Sequence, residues 1–147
     1  MAANTAPIFP LTPYAACLDM TAQTACTTRL PTATAALAAA NIVPFVPVTT
    51  NGLRLDYFKI KGSASSFTAP TAAQTVTIWK HDGTKAYPLQ EIPIQLVTPS
   101  TTTGSFEIIV PYVGDPLPPT FSLYASTSIT TTAATTAFTL HAEGGVL

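Results

Sequence analysis

Beyond residue 41 the chain consists of short stretches in which apolar and polar residues alternate, divided by proline, glycine and threonine. Thr75-Val76-Thr77-Ile78-Trp79-Lys80 has the two-residue period of a strand, and His81-Asp82-Gly83 supplies a closing turn. On that period either Ile78 or Trp79 faces outward, and His81 sits in solvent. Phe106, Ile108 and Val110 alternate with Glu107 and Ile109 until Pro111 ends the strand. Ile92, Ile94 and Leu96 fall on one face of a longer strand over 89–98, with Glu91, Pro93 and Gln95 on the other. In 53–61 the inward set is Leu55, Phe58 and Ile60, and the irregular step between the first two predicts a bulge.

The remaining segments fit the same class. Residues 42–48 are β-rich, but Pro44 and Pro47 cannot donate to a ladder, so an edge or bulged strand is predicted. Asn51-Gly52 tolerates the positive φ of a tight turn. Strands over 121–125 and 138–141 complete the series, the last ending at Gly144-Gly145, where His141 points outward opposite Phe138 and Leu140. Loops are expected over 62–73, 99–104 and 126–136, with a stiff proline connector at 115–119. Seven or eight short strands of this spacing predict an all-β fold, an antiparallel β-sandwich of jelly-roll type. Helical periodicity is absent. Only 34–40 has helix-forming composition, and Leu37 is its one large anchor, so a brief turn is the most it predicts.

Charge divides the chain in two. Asp19 and Arg29 are the only charged residues of 1–53, whereas Arg54, Asp56, Lys59, Lys61, Lys80, Asp82, Lys85, Glu91 and Glu107 crowd the next stretch. A folded domain needs charged faces toward water. The β-sandwich is therefore assigned to 42–147, and residues 1–41 to an extended, Pro/Thr/Ala-rich arm that orders on a neighbouring molecule without desolvating charge.

Of 147 residues, 27 are threonine and 23 alanine, and the net charge is -1. Without clustered Lys and Arg, nucleic-acid binding is not expected. No run of 18 apolar residues suggests a membrane span. With no positive side chain before Arg29 and with Pro7, Pro10 and Pro13 near the start, a secretory signal is not expected, which points to synthesis in a cytoplasm. Cys17 and Cys26 read as unpaired thiols there, although a disulfide between them is sterically open. Together with the distant His81 and His141 they lack the spacing of a zinc site. Asp56, Glu91, Glu107, Asp115 and Glu143 are scattered singly, and no nucleophile elbow, phosphate loop or zinc-protease motif occurs. No enzyme, catalytic residue, cofactor or metal is expected. Lys59, Lys61, Lys80 and Lys85 read as a solvated face.

The order of several short motifs resembles a family of small structural proteins of tailed-bacteriophage and prophage virions. They are Asn4-Thr5-Ala6-Pro7-Ile8-Phe9, Thr50-Asn51-Gly52-Leu53-Arg54-Leu55 with Phe58-Lys59-Ile60-Lys61, and Val76-Thr77-Ile78-Trp79 before His-Asp-Gly. Leu89-Gln90-Glu91-Ile92-Pro93-Ile94, Thr98-Pro99-Ser100, Leu117-Pro118-Pro119 and the ending Ala142-Glu143-Gly144-Gly145 follow. The resemblance spans about 4–10 and 49–145; the Ala/Thr-rich segment between Asp19 and Asn41 and the two cysteines depart from it.

The resemblance implies a non-enzymatic head decoration, or cement, protein. Such a protein is made in the host cytoplasm and resides on the virion capsid surface. Its partners are the major capsid protein lattice and other copies of itself, commonly as a homotrimer. The resemblance supplies no catalytic or ligand residues. The rival reading is a tail, baseplate or fibre component binding host-surface glycan, which requires exposed aromatics around Trp79 or Tyr124. A secreted carbohydrate-binding module is a further rival, disfavoured by the expected lack of a signal.

Overall fold

The structure is a computed structural model that describes residues 12–63, 66 and 71–147. Part of the expected 62–73 loop and the first eleven residues of the expected arm lie outside the described residues. Nine strands are present among those described: β1 (Thr12–Asp19), β2 (Thr32–Ala33), β3 (Val43–Val46), β4 (Leu53–Gly62), β5 (Gln74–His81), β6 (Lys85–Ile94), β7 (Glu107–Pro111), β8 (Ser122–Thr127) and β9 (Phe138–Val146). They form two antiparallel sheets, ordered β1-β9-β4-β7 and β2-β6-β5-β8-β3. The fold is an all-β sandwich, as the alternation predicts.

The connectivity has a simple logic. Leaving out the two-residue β2, the strands pair in a nested series: β5 with β6, β4 with β7, β3 with β8 and β1 with β9. Successive pairs fall in alternate sheets. A long hairpin wrapped in this way is a jelly roll. Its tip is the turn at 82–84, where Gly83 takes a φ of 96°. The Asp82 carboxylate accepts the Thr84 and Lys85 backbone N–H groups, each at 2.8 Å, and the Thr84 hydroxyl at 2.7 Å. Such side-chain closure satisfies donors that no strand reaches.

The inner faces make one core. Leu53, Leu55, Phe58 and Ile60 from β4 and Leu140 and Ala142 from β9 pack with Val76, Ile78, Ile92 and Ile94 of the other sheet. Phe58 is fully buried and meets the Tyr112 ring edge-on at 5.7 Å. The predicted irregularity in β4 is present: Leu55 pairs with Gly144 and Tyr57 with Glu143, leaving Asp56 as the extra residue. The edge strand β3 also shifts register between Pro44 and Val46, in keeping with its prolines.

Three expectations are corrected. β6 stops at Ile94 because its partner β5 begins at Gln74, so Leu96 leaves the sheet and is 62% exposed. β9 does not end at Gly144-Gly145 but runs through to Val146, paired on both sides. The β4 bulge draws backbone against it there: a Cβ on Gly144 would lie 2.0 Å from the Arg54 carbonyl oxygen. Glycine is needed for that approach. Most substantially, the division at residue 41 fails. Residues 12–19 form β1, bonded to β9 along all eight residues from Thr12–Val146 to Asp19–Thr139, and Met20 is fully buried in the core. This segment pairs within its own chain because β9 offers a free edge.

Two outcomes follow from these contacts. Gly144→Ala should lower unfolding free energy by about 1–3 kcal/mol in urea titration, the usual cost of overpacking. Gly104→Ala, whose added Cβ meets nothing within 4 Å, should not. The Lys85 backbone N–H, then the Thr84 hydroxyl and N–H, hold the Asp82 carboxyl well below the usual carboxylate range. An unfolded chain takes up that proton at the ordinary value, so the turn's contribution is complete above it and is lost as pH falls further. The stability difference between the natural chain and Asp82→Ala should therefore shrink below about pH 4.

Candidate interaction surface

Residues 20–42 form a strap across the outer face of the five-stranded sheet. Its composition suits the task, since alanine and threonine allow close approach and threonine supplies hydroxyls where the ladder is absent. Cys26 N–H donates to the Thr127 carbonyl at 2.7 Å, Thr131 N–H donates to the Gln23 carbonyl at 2.8 Å, and Gln23 N–H donates to the Thr131 hydroxyl oxygen at 2.8 Å. β2 adds a short ladder to β6 through Thr32–Ala86 and Ala33–Lys85. A 3-10 turn at Thr34–Ala36 follows, continued by an Ala40 N–H bond to Ala36. Asn41 ends it with a φ of 59°, its side-chain amide donating to the Ala25 carbonyl at 2.7 Å. Asparagine tolerates this left-handed geometry better than most residues.

The strap buries a second apolar cluster of Leu37, Ala40, Ile42, Trp79 and Ala86. Trp79 and Ile78 are both fully buried, so neither faces solvent. Alternation places them on opposite faces as predicted, but the outer face has a cover. The indole N–H donates to Ser126 Oγ at 2.8 Å, satisfying its one polar atom. His81 is likewise buried rather than in solvent. Its Nε2 meets Thr34 Oγ1 at 2.9 Å and its Nδ1 accepts the Gly83 N–H at 3.2 Å. Tyr124, half-buried, packs its ring 4.9 Å from the imidazole. The exposed aromatic cluster required by glycan stacking is therefore not formed at Trp79.

The outer surface of the strap is poor in charge. Arg29 is the one charged residue of 20–42, and its guanidinium pairs with Glu91 of β6 at 3.1 Å. Leu30 is 73% exposed. Beside it lies an open depression of about 440 Å³ bounded by Thr27, Leu30, Pro31, Ala36 and Ala39. The opposite face differs. On the outside of the four-stranded sheet, Lys59 pairs with Glu107 at 3.2 Å and Arg54 with Asp56 at 3.2 Å. Tyr57 donates its hydroxyl to Glu143, which holds the phenol proton above the usual tyrosine range. Exposed ion pairs of this kind stabilise little but keep a face hydrated.

Other residues singled out by sequence are dispersed. Lys59 and Lys61 belong to the four-stranded sheet, while Lys80, on the other sheet, lies 4.6 Å over the Phe121 ring, so the four lysines form no single patch. Among the described residues no three of His, Cys, Asp and Glu gather as a metal site, and no helix is long and apolar enough to cross a membrane. Both cysteines are free. His141 points outward, as alternation predicts, and touches Cys17 across the β1–β9 pair. Compared with protein-family models, curated proteins and solved structures, the chain matches none of them.

Trp79→Phe removes the donor to Ser126 while keeping a ring in the second cluster. It should cost about 1–3 kcal/mol in urea titration, the range for an orphaned buried hydroxyl. Amide hydrogen exchange should quicken over 37–42 before it does in β4 and β9.

Proposed function

We propose that this chain is a structural component of a bacteriophage virion, seated on the outside of the capsid and stabilising it as a decoration protein. The observation that carries this reading is the contrast between the charge-poor strap, with Leu30 standing out beside an open depression, and the ion-paired face on the opposite sheet. A surface of small uncharged side chains docks on a partner by shape, at little desolvation cost. The charged sheet suits the side turned to water. The jelly-roll connectivity, also found among capsid and lectin domains, is compatible with the reading, although fold alone does not assign function.

The contact with the major capsid protein is made by the strap, and neighbouring copies meet through sheet edges in a trimer around a symmetry axis. β1 supports the second part: it is bonded to β9 alone along eight residues, with Asp19 its single charge. The proline of β1, Pro13, lies near its start and leaves Tyr14–Asp19 free of proline, whereas Pro44 lies within β3, Pro88 and Pro93 within β6, and Pro111 ends the five-residue β7, which blunts strand addition there. A stable seat buries on the order of 1,000 Å² or more in total, and many weak copies on one lattice hold better than one.

The test is occupancy on virions purified from cells making the protein. Leu30→Asp and Ala36→Glu, both at exposed strap positions, should lower bound copies at least about tenfold, equivalent to about 1.4 kcal/mol. Lys61→Gln on the far face should leave occupancy unchanged. Absence of the natural chain from particles, or full occupancy by both strap variants, would overturn the reading.

A further inference from the structure

On the outside of the four-stranded sheet, far from the strap, Cys17 of β1 and His141 of β9 are direct register partners. Directly opposed side chains in an antiparallel pair start about 5 Å apart at Cβ, close enough for their ends to meet. The Cys17 Sγ lies 3.1 Å from His141 Nδ1 and is exposed. On its other side the imidazole is held by a hydroxyl, with Nε2 3.1 Å from Thr139 Oγ1. Thr139 directs its own single proton toward the Lys61 carbonyl at 3.5 Å. In the tautomer that donates Nε2–H to the threonine oxygen, Nδ1 is the unprotonated nitrogen facing the thiol.

A nucleophile, a base within hydrogen-bond reach and a third group orienting the base are the parts of an activated side chain. The neighbouring charges are engaged elsewhere: Lys59, the partner of His141 on β4, is paired with Glu107, Glu143 accepts Tyr57, and Asp19 accepts Thr21. The imidazole is thus the group left to serve the thiol. The other cysteine is different. Cys26 is half-buried and its Sγ donates to the Thr28 carbonyl at 3.1 Å.

We propose that Cys17 and His141 form a thiol–disulfide exchange site that captures small soluble disulfides as mixed disulfides. His141 Nδ1 takes the thiol proton and the sulfur attacks one sulfur of the incoming disulfide. A new S–S bond forms to Cys17, the original S–S bond breaks, and the departing thiolate takes the proton back from Nδ1 to leave as a thiol. Cys17 is oxidised and half of the disulfide reduced, so no further oxidant is required.

The experiment treats the full chain with bis(2-hydroxyethyl) disulfide, an uncharged probe, and follows each cysteine by peptide mass mapping. Cys17 should be modified at least about tenfold faster than Cys26, because its sulfur is exposed beside an imidazole that can take its proton, whereas that of Cys26 is half-buried against the Thr28 carbonyl. His141→Gln should slow Cys17 by about tenfold and leave Cys26 unchanged. Thr139→Val should also slow Cys17, and Thr139→Ser should restore its rate, which separates orientation of the imidazole from general damage to the strand. Faster labelling of Cys26 would overturn the proposal. So would a Cys17 rate indifferent to Thr139→Val, which tests the same chain of bonds if His141→Gln fails to fold.

Discussion

Every long-range pairing in this sandwich presupposes that the chain has reversed at Asp82, Gly83 and Thr84. β5 and β6 are joined there, β4 and β7 enclose that hairpin in the other sheet, β3 and β8 enclose those, and β1 and β9 enclose them all. Each outer pair closes a longer loop than the one inside it. The entropy of closure grows only slowly with length, so the outermost pair is not much harder to close once the inner ones exist. The same order makes folding depend on non-local contacts, a feature of slow β-rich domains. The one carboxylate and one left-handed glycine at the tip are therefore a small investment on which a large body rests.

What the sequence disclosed was local. The alternation of 75–80 and 106–110, the irregular step between Leu55 and Phe58, and the prolines of 42–48 each identify a strand or its defect, because those signals lie within a few residues. The cover over Trp79 could not be read this way. Its cause is a segment some forty residues earlier whose alanines and threonines show neither period, and which finds order only against a finished sheet. β1 was hidden for the same reason: Thr-Pro-Tyr-Ala-Ala-Cys-Leu-Asp is a weak strand former until β9 presents its edge. The contact of Cys17 with His141 spans 124 positions and exists only through register. The charge-poor character of the strap, by contrast, was already visible in the near absence of charge before Arg54.

The abundance of threonine has a structural account. Where the strap and the 128–137 loop run without a ladder, hydroxyls do the satisfying: Thr131 caps Gln23, Thr130 accepts from Ala25, Thr28 from Leu30, and Thr136 from Thr132. Threonine adds a β-branched body to that hydroxyl, so the same residue suits a strand and the irregular stretch beside it. A chain with few charges thus satisfies many of the backbone donors of these segments without them.

The pairing of Thr12 with Val146 brings the two ends of the described sandwich to one corner of the four-stranded sheet, on the side away from the strap. A short peptide joining them would let the molecule be opened elsewhere as a circular permutant. Cargo joined directly at Thr12 or after Val146 would leave from that shared corner, and the wrapped order of the strands would be untouched.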